Sequence, residues 1–178
     1  MAGTTRSFPA DMKTFTTSLF VVTASTMPAF AGTFFGSWEM NNMVRAPAPD
    51  GTPPAGGPAY YVYTQIKPDR VHSISLSFLC YGGEYNARLI ATMGNDYKLA
   101  DRDRFEISVD GGEPHTADAS NNVPGRPVLE AKILPATLDW IATAKSTIRV
   151  TLPTSKREYV FNVSETGRAI ATLQAACR

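Results

Sequence analysis

From residue 73 onward, apolar and polar residues repeatedly alternate with a period of two. Ile74, Leu76 and Phe78 alternate with Ser73, Ser75 and Ser77; Leu89, Ala91 and Met93 alternate with Arg88, Ile90 and Thr92. Phe105, Ile107 and Val109 alternate with Glu106, Ser108 and Asp110, which places Glu106 and Asp110 on the outer face of a strand. Ile148, Val150 and Leu152, and then Tyr159, Phe161 and Val163, repeat the pattern. Successive side chains of a strand point to opposite faces, so each run predicts a strand with one buried face and one solvated face. Tyr60 to Gln65 adds a β-rich run, and Phe34 to Met40 predicts a short opening strand that pairs back onto the later sheet. Turn chemistry separates the runs at Gly82-Gly83, Gly94-Asn95-Asp96, Asp110-Gly111-Gly112 and Pro153-Thr154-Ser155-Lys156. About seven such strands joined by short turns predict an antiparallel β-sandwich or open barrel.

Two segments follow a helical period instead. Leu134, Leu138 and Ile141 fall at i, i+4 and i+7 with Pro135 in the first turn, which predicts a short helix over 134–144. Ser164 is placed to cap a C-terminal helix on which Ile170, Leu173 and Cys177 share one stripe. Residues 46–58 are dense in Pro and Gly; this composition predicts a loop rather than an element.

The first residues read as an address. Lys13 precedes an uncharged apolar run around Leu19-Phe20-Val21-Val22, followed by Pro28 and the small residues Ala29 and Ala31. That order predicts a secretory signal peptide over 1–31, cleaved near Ala31, with Met1 or Met12 as the start. The apolar stretch is shorter than the roughly 20 residues needed to span a bilayer, and no later segment is long and apolar enough to anchor the chain. The remaining single domain, 32–178, is expected in the periplasm or the extracellular space.

Charge and cysteine content narrow the partner classes. The 178-residue chain has 17 Lys+Arg against 16 Asp+Glu, and removing the leader leaves the domain formally neutral. Nucleic acids and anionic membranes are normally met by a clustered basic surface, so neither is expected as a partner. Two Cys and two His at these spacings do not make a four-ligand zinc site, and no metal or cofactor is expected. In an oxidising compartment, Cys80 and Cys177 are expected to form a structural disulfide; a free thiol or a redox pair is the competing reading. Closing a loop of roughly 100 residues is worth on the order of 4–5 kcal/mol in the chain-entropy model.

The ordered pattern also resembles a known family. Trp38, the strand Ser75-Leu76-Ser77-Phe78-Leu79-Cys80, the strand Phe105 to Val109 closing on Asp110-Gly111-Gly112, and Tyr159 to Val163 leading to Ala169, Leu173 and Cys177 recur in this order in VasI/TagO-like proteins of bacterial type VI secretion. The resemblance covers roughly residues 70–178, and it implies a periplasmic β-rich accessory domain without known catalysis.

Candidate chemistry is sparse. There is no G-x-S-x-G, P-loop, H-E-x-x-H or G-x-G-x-x-G motif, and no catalytic residue is assigned. His72 ahead of a strand and His115 in a turn read as surface residues. Asp101 and Asp103, at i and i+2, have the oxygen chemistry for calcium, but the run Asp101-Arg102-Asp103-Arg104 reads more simply as a solvated, self-neutralising strand edge. The candidate binding surface is the aromatic set Tyr60, Tyr61, Tyr63, Tyr81 and Tyr85, since tyrosine combines an apolar ring with a polar tip at low entropic cost. The expected function is that of a non-catalytic, exported binding or accessory protein that contacts another envelope or secreted protein. The alternative is a periplasmic inhibitor or immunity protein against a cell-wall-degrading enzyme, inserting the 46–58 loop or the Gly82-Gly83 turn. A glycan-directed enzyme would need His72 or His115 in a pocket with a carboxylate.

Overall fold

A computed structural model of the protein describes residues 32–43, 59–68, 72–92, 99–121 and 126–178. The expected leader at 1–31, the Pro/Gly-rich loop at 46–58 and the turn at Gly94-Asn95-Asp96 lie outside the described residues.

The elements in chain order are β1 (Thr33–Phe35), β2 (Trp38–Met43), β3 (Ala59–Ile66), β4 (Ser73–Tyr81), β5 (Glu84–Thr92), β6 (Arg102–Val109), β7 (His115–Ser120), β8 (Val128–Ile133), α1 (Pro135–Ile141), β9 (Thr147–Leu152), β10 (Arg157–Asn162) and α2 (Thr166–Ala176). The strands form one sheet in the order β1-β2-β3-β4-β5-β8-β7-β6-β9-β10, and every pairing is antiparallel. The sheet stays open, with β1 and β10 as its edges. This matches the expected mainly antiparallel class and adds strands that the alternation missed. The opening strand is a hairpin, because Gly36 at φ +55° turns the chain between Phe35 and Trp38. His115, expected in a turn, opens β7. β7 buries the small Ala119 where a large apolar side chain would have announced a strand.

One face of the sheet builds the core. Trp38, Met40, Val62, Leu76, Phe78, Leu89, Phe105, Val150 and Phe161 are almost fully buried on it, together with Leu138 and Ile141 of α1 and Ile170 and Leu173 of α2. Each such side chain contributes roughly 1.5–3 kcal/mol by leaving water. Trp38 lies against Phe78, with ring centres 5.7 Å apart, and its indole N–H donates to Thr166 Oγ1 at 3.1 Å, so the start of α2 is fixed to β2.

The helices differ from expectation in their first residues. Leu134 is extended (φ −78°, ψ 152°) and 68% exposed, because it precedes the helix instead of joining its buried stripe. Ser164 does not cap α2. The cap position is Glu165, in the left-handed region, while the Ser164 backbone N–H donates to Ser37 Oγ at 2.9 Å. That contact joins the β1–β2 turn to the end of β10 and forms a seam between the two sheet edges. At the other end of α2, Cys177 is bonded to Cys80 of β4, as expected. Among the described residues, no helix is long and apolar enough to cross a membrane.

Candidate functional site

The five tyrosines divide between the two faces of the sheet. Strand alternation puts Tyr60 and Tyr85 on the core face, where both pack partly against the core; in the pairing, Cys80 lies opposite each of them. A cleft of about 380 Å³ lined by Tyr60, Cys80, Gly82, Gly83 and Cys177 marks this end of the sheet. Tyr61, Tyr63 and Tyr81 point the other way, onto the outer face. Tyr61 and Tyr63 are half-buried, with ring centres 5.8 Å apart. The set read from the sequence is therefore not a single patch: Tyr61, Tyr63 and Tyr81 share the outer face, while Tyr60 and Tyr85 flank Cys80 on the core face.

Register gathers residues that the sequence did not single out onto that surface. Phe34 pairs with Glu39, Glu39 with Tyr63, Tyr63 with Ser77, Ser77 with Arg88, and Arg88 with Glu130. One continuous row across β1, β2, β3, β4, β5 and β8 thus reads Phe34–Glu39–Tyr63–Ser77–Arg88–Glu130. The Cβ atoms of directly opposed residues on one face sit about 5 Å apart, so each member is the cross-strand neighbour of the next. Ser75 and Ser77 were expected on a solvated face, yet they are buried, at 8% and 4% exposure. They are small groups flanked by long side chains, Tyr63 on one side and Arg88 on the other in the case of Ser77. Both α1 and α2 belong to the core side, so no described helix covers this row.

Glu39 is the electrostatic centre of the row. Its carboxylate accepts hydrogen bonds from the Tyr63 hydroxyl and, at 2.8 Å, from the Asn41 amide. Burial and the bond to Glu39 push the Tyr63 pKa up to about 12, and burial followed by the Glu39 charge raises that of Tyr61. Both phenols therefore stay protonated donors at any physiological pH. Arg88 donates to Glu130 Oε2 through Nε at 2.8 Å and a terminal amine at 2.6 Å, which ends the row in a formed ion pair.

The acidic run at 101–104 has a different role from either reading of the sequence. Asp103 is buried on β6 instead of lying on a solvated edge. It accepts from the backbone N–H groups of Arg104 (2.8 Å), Thr154 (3.0 Å) and Ser155 (2.8 Å) and from the Ser155 hydroxyl (2.7 Å). Burial pushes its pKa up, but those four donors more than offset this and hold it below the usual carboxylate range. Asp101 stays exposed, and among the described residues no cluster of three metal-ligating side chains forms.

Asp110, expected on the outer face of β6, lies one residue past that strand at φ +48°. Its carboxylate accepts from the backbone N–H groups of Lys145, Ser146 and Thr147 and from the Ser146 hydroxyl, at 2.7–2.9 Å. These bonds, that from Lys145 first, depress its pKa strongly. Both carboxylates are therefore spent on the protein's own loops. His115 stacks on Trp140 of α1, with ring centres 4.0 Å apart, and His72 precedes β4.

These features define an open, all-antiparallel sheet with a disulfide-stapled terminal helix and an aromatic, charged outer face. No family model matches the chain and no curated protein matches its sequence, so the likeness to VasI/TagO-like proteins rests on the ordered residues alone. Among solved structures, the chain is similar to invasion associated protein B from Bartonella henselae, with 15% identity and a TM-score of 0.51 over 81% of this chain and 95% of that one. At that identity the likeness concerns the fold.

Proposed function

We propose that this is a non-catalytic, exported accessory protein that binds another envelope or secreted protein through the outer face of β1–β5. The observation that supports this most is the row Phe34–Glu39–Tyr63–Ser77–Arg88–Glu130, flanked by Tyr61, on a face that no described helix covers. Half-buried tyrosines beside an arginine are the side chains that dominate binding energy at protein interfaces, because they bury large rigid area and keep a polar tip. The joined Cys80–Cys177 pair and the leader-like first residues support export, and the ordered likeness to VasI/TagO-like proteins supports an envelope role linked to secretion. The formal neutrality of the domain fits a partner met at short range rather than steered from a distance.

Affinity purification from crosslinked cells tests this reading. The tagged protein should recover a reproducible protein partner, and a Tyr61→Ser/Tyr63→Ser variant with unchanged circular dichroism should lose it. Recovery of no partner, or recovery indifferent to the double substitution, would refute the assignment of this face.

A further inference from the structure

The edge of the outer face contains a cleft of about 350 Å³ lined by Phe34, Glu39, Tyr63 and Gln65, with the Gly36-Ser37 turn at its end. Two properties distinguish it. Phe34 is 69% exposed on a sheet whose other aromatic rings are largely covered, so a large apolar surface stands beside a carboxylate. And among the described residues Glu39 has only neutral donors: Glu84, Glu106, Glu130 and Glu158 each face a cation within 3.3 Å, at Lys132, Arg104, Arg88 and Arg149, whereas Glu39 is held by a phenol and an amide. A carboxylate whose donors are neutral has no counter-ion among them, and an arriving cation can supply charge-assisted hydrogen bonds that those donors do not.

We propose that this cleft receives the cationic side chain of a lysine or arginine carried by the partner protein, held between the Phe34 ring and the Glu39 carboxylate. The inference rests on the protein-binding role of this face and names the chemistry that its edge selects. Charge complementarity decides the occupant: a ring face attracts a cation, and the adjacent carboxylate supplies the neutralising charge. The chain shows the same preference next door, where the Arg168 guanidinium lies 5.3 Å from the ring centre of Phe35. Tyr63 and Asn41 each hold one oxygen of the carboxylate, and Phe34 and Glu39 line the same cleft.

The test is an NMR titration of the full-length protein with Nα-acetyl-lysine amide, with the Nε-acetylated form as the neutral control. Saturable shifts confined to residues around 34–39 and 63–65 are expected with the charged probe and not with the control. Phe34→Ala and Glu39→Gln should each weaken binding by about tenfold; the first alters an exposed side chain, and the second removes the charge while its carbonyl can still accept from Asn41 and its amide N–H can donate to the Tyr63 hydroxyl. Equal shifts with both probes, or titrations unchanged by either substitution, would overturn the cation site. Partner recovery that still depends on Tyr61 and Tyr63 would then leave the wider reading standing.

Discussion

Asp103 and Glu39 are both largely shielded carboxylates on strands of one sheet, but their oxygens are satisfied in different ways. Asp103 accepts from the N–H of Arg104 beside it on β6 and from two backbone N–H groups and a hydroxyl of the turn after β9, and Asp110 repeats this arrangement with the loop that leads into β9. Glu39 is met by two neutral side chains on a face that no described helix covers. Backbone donors cannot be withdrawn without unfolding a loop, so the first kind of carboxylate is part of the framework. Side-chain donors can turn away without unfolding a loop, and the proposed recognition role of the second kind rests on that difference. The Ser37–Ser164 seam and the disulfide belong with Asp103; Phe34, Tyr61 and Arg88 belong with Glu39.

The division predicts large effects in the framework and small ones on the face. Replacing both cysteines by serine should cost on the order of 4–5 kcal/mol in urea unfolding, given the length of the loop closed. Gly36→Ala should cost about 2–4 kcal/mol by the same assay, because a Cβ there would lie 2.4 Å from Ser164 Oγ and the position is held at φ +55°. Asp103→Ala should cost about 1–3 kcal/mol through the N–H groups it leaves without an acceptor. Tyr61→Ser should stay below about 1 kcal/mol, being on the outer face. A Tyr61 substitution as costly as Asp103→Ala would break the comparison.

Titration sharpens it further. The folded pKa values of Asp103 and Asp110 lie below the unfolded value, so their stabilisation is complete above about pH 4 and is lost as pH falls through the folded values. Urea midpoints at pH 7 and pH 3 should therefore differ less in an Asp103→Asn/Asp110→Asn protein than in the wild type. Tyr63 has the opposite sign. Its pKa is raised, so its contribution is complete below about pH 10 and fades as pH rises through about 12. Ultraviolet titration should show this late phenol moving to lower pH in Glu39→Gln.

The fold was legible where large apolar residues alternate, as in β4, β5, β6, β9 and β10. It was illegible in β7, whose inward residues Ala117 and Ala119 are too small to mark a buried face, and in the opening hairpin, where only a glycine conformation divides one strand into two. Asp103 looked solvated because its partners, Thr154 and Ser155, lie about 50 residues away. Tyr61 and Tyr63 were visible as strand-forming aromatics, but Phe34, Glu39 and Arg88 join them only through register. The alternation of Glu39 and Asn41 with buried Trp38 and Met40 held the one local clue, since it already placed Glu39 on the outer face.

Site-specific photocrosslinking in living cells tests the central claim most directly. A photoreactive phenylalanine derivative is placed at Tyr61 on the outer face and, in a second protein, at exposed Ala171 on α2. A discrete crosslinked protein adduct is expected from position 61 and none from position 171; adducts from 171 alone, or from neither position, would contradict binding through the outer face.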